Sequence, residues 1–263
     1  MEIALTEKTD KYNIKAVERC FDILDLFAQL DEPITIQTIS TRLGINTNMA
    51  FRMLSTMVRA GYLEKDEKTG VYSISLKFLP LSRKALMSLE IRRVVMPFLE
   101  MLRTRYPNGN FNLAVLYQGD VIVIDRIDSV NLPRTYFTPG KTLPFHATGL
   151  GKVLTSELSE EELDAMIKKK GLKAFTPKTI TTAEALKEEL EKVRAQHYGT
   201  DRGEFIPGDN CNAFPLRDST GEIIAAISIA AFDNYMSLEE LEATIPVMAE
   251  TARNISFFLG NNI

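Results

Sequence analysis

The sequence predicts an α+β protein: an N-terminal winged helix-turn-helix, a linker helix, and a larger C-terminal domain built on a mainly antiparallel sheet. Three observations carry that expectation. Helical apolar stripes interrupted at Gly44 run into a short hairpin before residue 75. Alternating apolar runs joined by Gly-containing turns recur between residues 111 and 231. Helical segments lie between and after those runs, as expected of an α+β domain.

Residues 1–12 form an N-terminal tail, and residues 13–75 form the first domain. Between 14 and 30, Val17, Cys20, Phe21, Leu24, Phe27 and Leu30 recur at helical spacing, with Lys15, Glu18, Arg19, Asp22 and Asp25 mostly between them. Glu32-Pro33 ends that helix, because proline has no N–H to continue it. Thr35 supplies a capping oxygen to a short helix that buries Ile36, Ile39 and Leu43. Gly44 stops it where a left-handed residue is required. After the cap-like pair Asn46-Thr47, the third stripe is Met49, Ala50, Met53, Leu54, Met57 and Val58, closed by Gly61. Residues 62–65 and 71–74 alternate around a polar turn ending at Gly70, which is a hairpin signal. Helix, short helix, glycine turn, helix and hairpin is the plan of a winged helix-turn-helix.

Helical patterning from 76 to 106 breaks near Glu90 or Pro97, giving a linker helix over 76–95 and a second domain over 96–260. That domain is expected to carry strands at 111–117, 121–127 and 134–137, the first two joined at Gly119-Asp120. Helices follow at 147–156, 160–170 and 183–196, then strands at 212–217 and 222–231 and a final helix over 238–259.

Composition excludes several classes. With 263 residues, 45% hydrophobic and 25% charged, the chain has the balance of a globular protein, not a disordered one. Its longest apolar run, 223–232, is shorter than the roughly 18–20 residues that span a bilayer. The first twelve residues lack the basic flank and apolar stretch of a signal peptide, so a cytoplasmic protein with no membrane partner is expected. Cys20 and Cys211 lie far apart and suggest no disulfide framework. A net charge of −4 excludes a histone-like coat of positive potential but allows a local basic face.

Such a face is legible. Residues 35–63 contain Arg42, Arg52 and Arg59 and no acid, in a chain with 35 Asp and Glu. Duplex DNA carries a negative charge about every 1.7 Å of axis, so a carboxylate there would be repelled. The third helix would present Thr47, Asn48, Phe51 and Arg52. Asn and Arg make bidentate contacts to base edges, while Thr and backbone amides hold phosphate. Arg19, Thr35, Arg42 and Lys65 complete the candidate double-stranded-DNA contacts, with Lys68 beside Lys65 in the wing. Arg59 also suits the helix dipole, Phe51 also suits packing, and a protein-interaction module is the alternative use of the fold.

Residues 16–81 (AVERCFDILDLFAQLDEP through LKFLPL) resemble the DNA-binding domain of IclR-type transcriptional regulators. The resemblance continues through NFNLAVLYQGDVIVIDRIDS, LPFHATGLGKVL, TPKTIT, HYGTDRGEF and GEIIAAISIAAF in the family's order. It implies a GAF/PAS-like effector domain and a homodimer or tetramer on a palindromic operator. It also implies control, by repression or activation, of a catabolic operon in response to a small-molecule effector such as an organic acid, aromatic or sugar-derived metabolite. The sequence departs from the family pattern at Thr47-Asn48-Met49, where Lys-Ser/Thr-Thr is usual, and at Asp209-Asn210 and Asn212, where an apolar-Arg pair and an apolar residue are usual.

By that resemblance the effector-binding positions are Gly149, Leu150, Asp201, Cys211, Ser228 and Ala230. Ser228 and Ala230 are two apart on a strand and share a side. Gly149 and Gly151 either let helix amides meet a carboxylate or only permit tight packing. The segment is not a P-loop, since His146 and Val153 occupy positions that motif reserves for Gly and Ser/Thr. Asp201 with Asn210 or Asn212 suits a hydroxylated ligand that also carries a carboxylate. A catalytic use would pair Cys211 with His146 or His197; a lone Cys before a strand is more often a small buried hydrophobe. Asp125, Arg126 and Asp128 are taken as solvated or ion-paired residues near a strand end. No cofactor, metal spacing or enzyme signature is expected.

Overall fold

A computed structural model describes residues 13–30, 32–131 and 137–261. The chain divides into two compact units, 1–88 and 89–263. The expected tail over 1–12, and residues 134–136 of the strand expected over 134–137, lie outside the described residues.

The first unit contains α1 (Lys15–Gln29), α2 (Ile36–Leu43), α3 (Thr47–Arg59), β1 (Leu63–Lys65), β2 (Tyr72–Ile74) and α4 (Phe78–Met87). Thr35 opens α2 with a reciprocal cap: its hydroxyl accepts the Thr38 amide and the Thr38 hydroxyl accepts the Thr35 amide. Gly44 takes the left-handed conformation at φ 61°, turning the chain from α2 into α3. Asn46 then caps α3 by accepting the Met49 amide at 2.8 Å. β1 and β2 pair antiparallel with Leu63 opposite Ile74, and Tyr72 also bridges Ile34 ahead of α2. Ile23, Ile39, Ala50, Leu54 and Leu63 form the buried centre, so three helices and the hairpin share one core.

The second unit contains α5 (Glu90–Arg105), β3 (Asn110–Tyr117), β4 (Asp120–Ile127), β5 (Thr142–Leu143), α6 (Gly149–Thr155), α7 (Glu160–Lys170), α8 (Ala183–Gln196), β6 (Gly199–Arg202), β7 (Asp209–Arg217), β8 (Ile223–Phe232), α9 (Leu238–Glu242) and α10 (Ile245–Phe258). Six strands form one sheet in the order β5-β4-β3-β8-β7-β6, and every pairing is antiparallel. The helix α6 packs on one face of this sheet, with Gly149 against Cys211 and Ala213. On the opposite face, Asn212 Nδ2 donates to the Leu241 carbonyl of α9, and the Arg217 amide donates to Ser256 of α10.

The break expected near Glu90 or Pro97 falls at Ser88-Leu89, so residues 76–95 hold parts of two helices, α4 and α5, and Pro97 sits inside α5. Two expectations differ from the structure. The final helix is also two, because Pro246 lacks the N–H that would continue α9 and instead occupies the first turn of α10. β5 and β6 are additional strands, two and four residues long, too short for alternation to declare them.

Candidate functional site

The first candidate site is the outer face of α3. Ala50, Met53, Leu54 and Met57 turn into the core, so helical periodicity sends Thr47, Asn48, Phe51, Arg52, Ser55 and Arg59 outward, and all six are exposed. No carboxylate interrupts that face. Phe51 is 50% exposed, so it is not a core residue here. Arg52 makes no ion pair among the described residues.

The other candidates of this unit are engaged. Arg42 pairs with Glu32 at 3.1 Å, an acid just outside the acid-free window. Lys65 pairs with its neighbour Glu67 at 2.7 Å, which raises the Lys65 pKa through their hydrogen bond. Arg19 Nη1 lies 2.6 Å from Met49 Sδ, tying α1 to the first turn of α3. The Thr35 hydroxyl is committed to its cap. Exposed pairs such as Arg42–Glu32 contribute roughly 0–1 kcal/mol and exchange readily for a phosphate.

The second candidate site lies on the sheet face that receives α6. Strand register places Asp201, Cys211, Ala230 and Asn110 in one cross-strand row. The next row on the same face holds Gly199, Ala213, Ser228, Asn112 and Arg126. Four of the six expected effector residues, Asp201, Cys211, Ser228 and Ala230, therefore share a surface, and Gly149 and Leu150 pack against it from α6. All six are buried.

The glycines are explained by packing. A Cβ on Gly151 would lie 2.4 Å from the Phe145 carbonyl oxygen, and one on Gly149 would lie 3.2 Å from Cys211 Sγ. The Gly151 amide is already held by the Thr148 hydroxyl at 3.1 Å. Lys152 is fully buried and bound to Glu204 at 2.6 Å and to the Thr200 carbonyl at 2.9 Å, so it anchors α6 to β6.

One sequence expectation is corrected and another is narrowed. Asn210 and Asn212 alternate with Cys211 and lie on the far face, so neither joins Asp201 around a ligand. Asn212 bonds Leu241 and Arg202, and Asn210 bonds Asp233. Of the two alternatives for Asp125, Arg126 and Asp128, solvated or ion-paired, the structure has the ion-paired one, with Asp125 and Arg126 in β4 and Arg126 bound to Asp128. Asp125 is buried and ion-paired to Arg92 of α5, at 2.5 Å from Arg92 Nη2. The Arg126 side chain is 4% exposed and turns onto the α6 face.

A bulge explains why alternation missed Arg126. Leu113 opposes Asp125 but Ala114 opposes Val123, so Ile124 is the extra residue. One inserted residue reverses the parity of the strand, and Arg126 comes to the same face as Val121 and Val123. There its Nε donates to Asp128 at 2.5 Å and its Nη1 to Asn112 Oδ1 at 3.2 Å. Asn112 Nδ2 in turn donates to Ser228 Oγ at 3.2 Å.

Burial sets the electrostatics of this face. It pushes the Asp201 carboxyl up to about 7, with the Glu204 amide hydrogen bond opposing the rise. It pushes Asp209 up to about 6, with the charge of Arg126 opposing. The Cys211 thiol is driven well above its usual value by burial and by Asp201 and Asp209, so it is not a nucleophile. His146 Nε2 faces the Lys173 carbonyl at 3.0 Å, its Nδ1 is buried without a partner, and His197 is exposed at the end of α8. Neither histidine forms a hydrogen bond to Cys211 among the described residues. Among those residues no group of three or more His, Cys, Asp or Glu side chains is arranged to hold a metal ion, and no helix is long and apolar enough to cross a membrane.

Two family models match the chain in order. The IclR helix-turn-helix domain model matches residues 16–67, and the bacterial transcriptional regulator IclR C-terminal model matches residues 83–257. The chain is 30% identical over 248 residues to the HTH-type transcriptional regulator KdgR of Escherichia coli, covering 94% of each chain. It is 28% identical to the HTH-type transcriptional repressor AllR of Escherichia coli, covering 94% of this chain and 90% of that one. Among solved structures, an IclR homologue from Microbacterium hydrocarbonoxydans complexed with 4-hydroxybenzoate superposes with a TM-score of 0.72 at 25% identity, covering 93% of this chain and 98% of that one. The family and these relatives are transcriptional regulators, not enzymes. With its helix-turn-helix, antiparallel effector domain and both family models in order, this chain belongs to the IclR family of bacterial transcriptional regulators.

Proposed function

We propose that the chain is a repressor of a catabolic operon, released when a small organic acid or sugar-derived metabolite binds the α6 face of its C-terminal sheet. A homodimer, or a pair of dimers, sets two α3 helices into successive major grooves of a palindromic operator. Thr47, Asn48, Phe51 and Arg52 read bases and phosphates, while Arg42, Lys65, Arg19 and Thr35 lie around that helix. Asp201, Cys211, Ser228 and Ala230, with Gly149 and Leu150 above them, receive the effector. Ligand binding favours one arrangement of the protein over another and shifts operator affinity by about 1–3 kcal/mol.

The observation that carries this reading is the outward stripe of α3, exposed, free of carboxylates and bearing an unpaired Arg52 among the described residues. AllR is a repressor, and the Microbacterium homologue binds 4-hydroxybenzoate, which supports the sign of control and the class of effector. Electrophoretic mobility shift with duplexes from upstream of the gene and its neighbours tests it. The wild type should form a specific complex that Arg52→Ala weakens by about 1–3 kcal/mol, roughly 5- to 150-fold. Equal binding by both forms would overturn the assignment of α3.

A further inference from the structure

Among the described residues, Arg126 is the arginine on the α6 face that ends in an unused donor. Its Nη2 is buried and has no hydrogen-bond partner among the described residues, while its Nε and Nη1 are fixed by Asp128 and Asn112. The guanidinium is therefore held in a single orientation with one N–H edge left over. A buried cationic donor is costly unless something bonds it, and guanidinium edges match carboxylates in shape as well as charge. The bonds run onward from Arg126 to Asn112 and from Asn112 to Ser228. The free edge thus belongs to the same polar chain as the effector residue Ser228.

The surroundings suit a small, flat, hydroxylated anion. Phe137 lies under the guanidinium at 5.9 Å and meets Phe205 edge-on at 6.0 Å between centroids. Leu150, Cys211 and Ala230 belong to the same apolar cluster as Phe137, with Phe205 and Ile206 packed against it. Asp209 shares the sheet face with Cys211, feels the charge of Arg126, and makes no ion pair with it among the described residues. A ligand bound between the two would give an anionic oxygen to Arg126 and donate a hydroxyl hydrogen bond to Asp209.

We infer that Arg126 is the anchor for the carboxylate of the effector, and that the effector is a small hydroxycarboxylate. This rests on the reading of the α6 face as the effector site. It assigns the carboxylate to the strand β4 and not to the amides at the start of α6, where Thr148 already occupies Gly151.

The test uses the full chain and matched acid and neutral compounds: 4-hydroxybenzoate against 4-hydroxybenzamide, D-gluconate against D-glucitol, and L-lactate against L-lactamide. Isothermal titration calorimetry is run on the wild type, Arg126→Gln and Arg126→Lys, with duplex DNA binding as the measure of folding. At least one acid should bind the wild type ten-fold or more tightly than its neutral counterpart. Arg126→Gln should abolish that preference and Arg126→Lys should keep part of it. The wild-type comparison stands alone if a variant fails to fold. Equal binding of an acid and its neutral counterpart, or an undiminished acid preference in Arg126→Gln, overturns the anchor while leaving the effector face intact. Binding of no compound by a wild type that still binds DNA overturns the anchor and the effector reading together.

Discussion

Replacing Asp201 by Asn isolates the cost of the buried acid on the α6 face of the sheet. Desolvation is the largest influence on this carboxyl and pushes it from an ordinary 3.8 to about 7, while the Glu204 amide, donating to Oδ1 at 2.7 Å, pulls the other way. The unfolded chain releases this proton near the ordinary value and the folded chain near neutrality. Between those limits the unfolded state binds fewer protons, so stability falls as pH rises through the window and levels off above it. At 1.36 kcal/mol per unit, the loss between pH 5 and pH 8 is about 2–3 kcal/mol. Asparagine has the shape of the neutral acid and keeps an oxygen for the Glu204 amide, but it does not titrate. Asp201→Asn should therefore gain about 2–3 kcal/mol on the wild type between pH 5 and pH 8, judged from the difference in unfolding free energy at each pH. Urea unfolding of the full chain, followed by far-ultraviolet circular dichroism at both pH values, measures it. A difference that stays within about 0.5 kcal/mol across the range would refute the assignment of a neutral Asp201.

Other consequences follow from particular contacts. Gly151→Ala would set a Cβ 2.4 Å from the Phe145 carbonyl, and backbone cannot yield as a side chain does. The variant should lose about 1–3 kcal/mol or more, seen as a lower melting temperature. Cys211 should resist iodoacetamide at pH 8 in the native chain and react only on unfolding, because burial and two neighbouring acids keep its thiol protonated. Mass-spectrometric detection of rapid native labelling at Cys211 would count against that burial.

The first unit was largely legible because its signals are local. Thr35, Gly44, Asn46 and Gly61 punctuate the helices, and each does so through its own backbone or side-chain chemistry. The hairpins around Gly119 and around Asp218–Gly221 were equally plain, since glycine at positive φ marks the turn. Pairings that depend on distant residues were not. β6 is Gly-Thr-Asp-Arg, whose strand identity comes entirely from lying against β7.

The effector face shows the same division. Ser228 and Ala230 could be placed on one side of a strand by spacing alone, and their register with Cys211 and Asp201 agrees. Asn210 and Asn212 alternate with Cys211 along β7, so strand parity alone puts them on the opposite face. Arg126 was not legible in that way. The bulge at Ile124 reverses the parity of β4, and nothing local in VIVIDRI announces a bulge. Lys152 lies fully buried in α6 because Glu204 and the Thr200 carbonyl, about 50 residues away, receive it, and no local signal in the sequence announces those partners.

The central claim is that the carboxylate-free face of α3 distinguishes one duplex from another. Fluorescence anisotropy titration of the full chain against an upstream duplex, with a scrambled duplex of equal length as control, tests it most directly when paired with the double variant Asn48→Ala, Arg52→Ala. The wild type should prefer the upstream duplex, and the double variant should bind both with the same, weaker affinity. Undiminished discrimination by the double variant would place sequence reading elsewhere in the molecule.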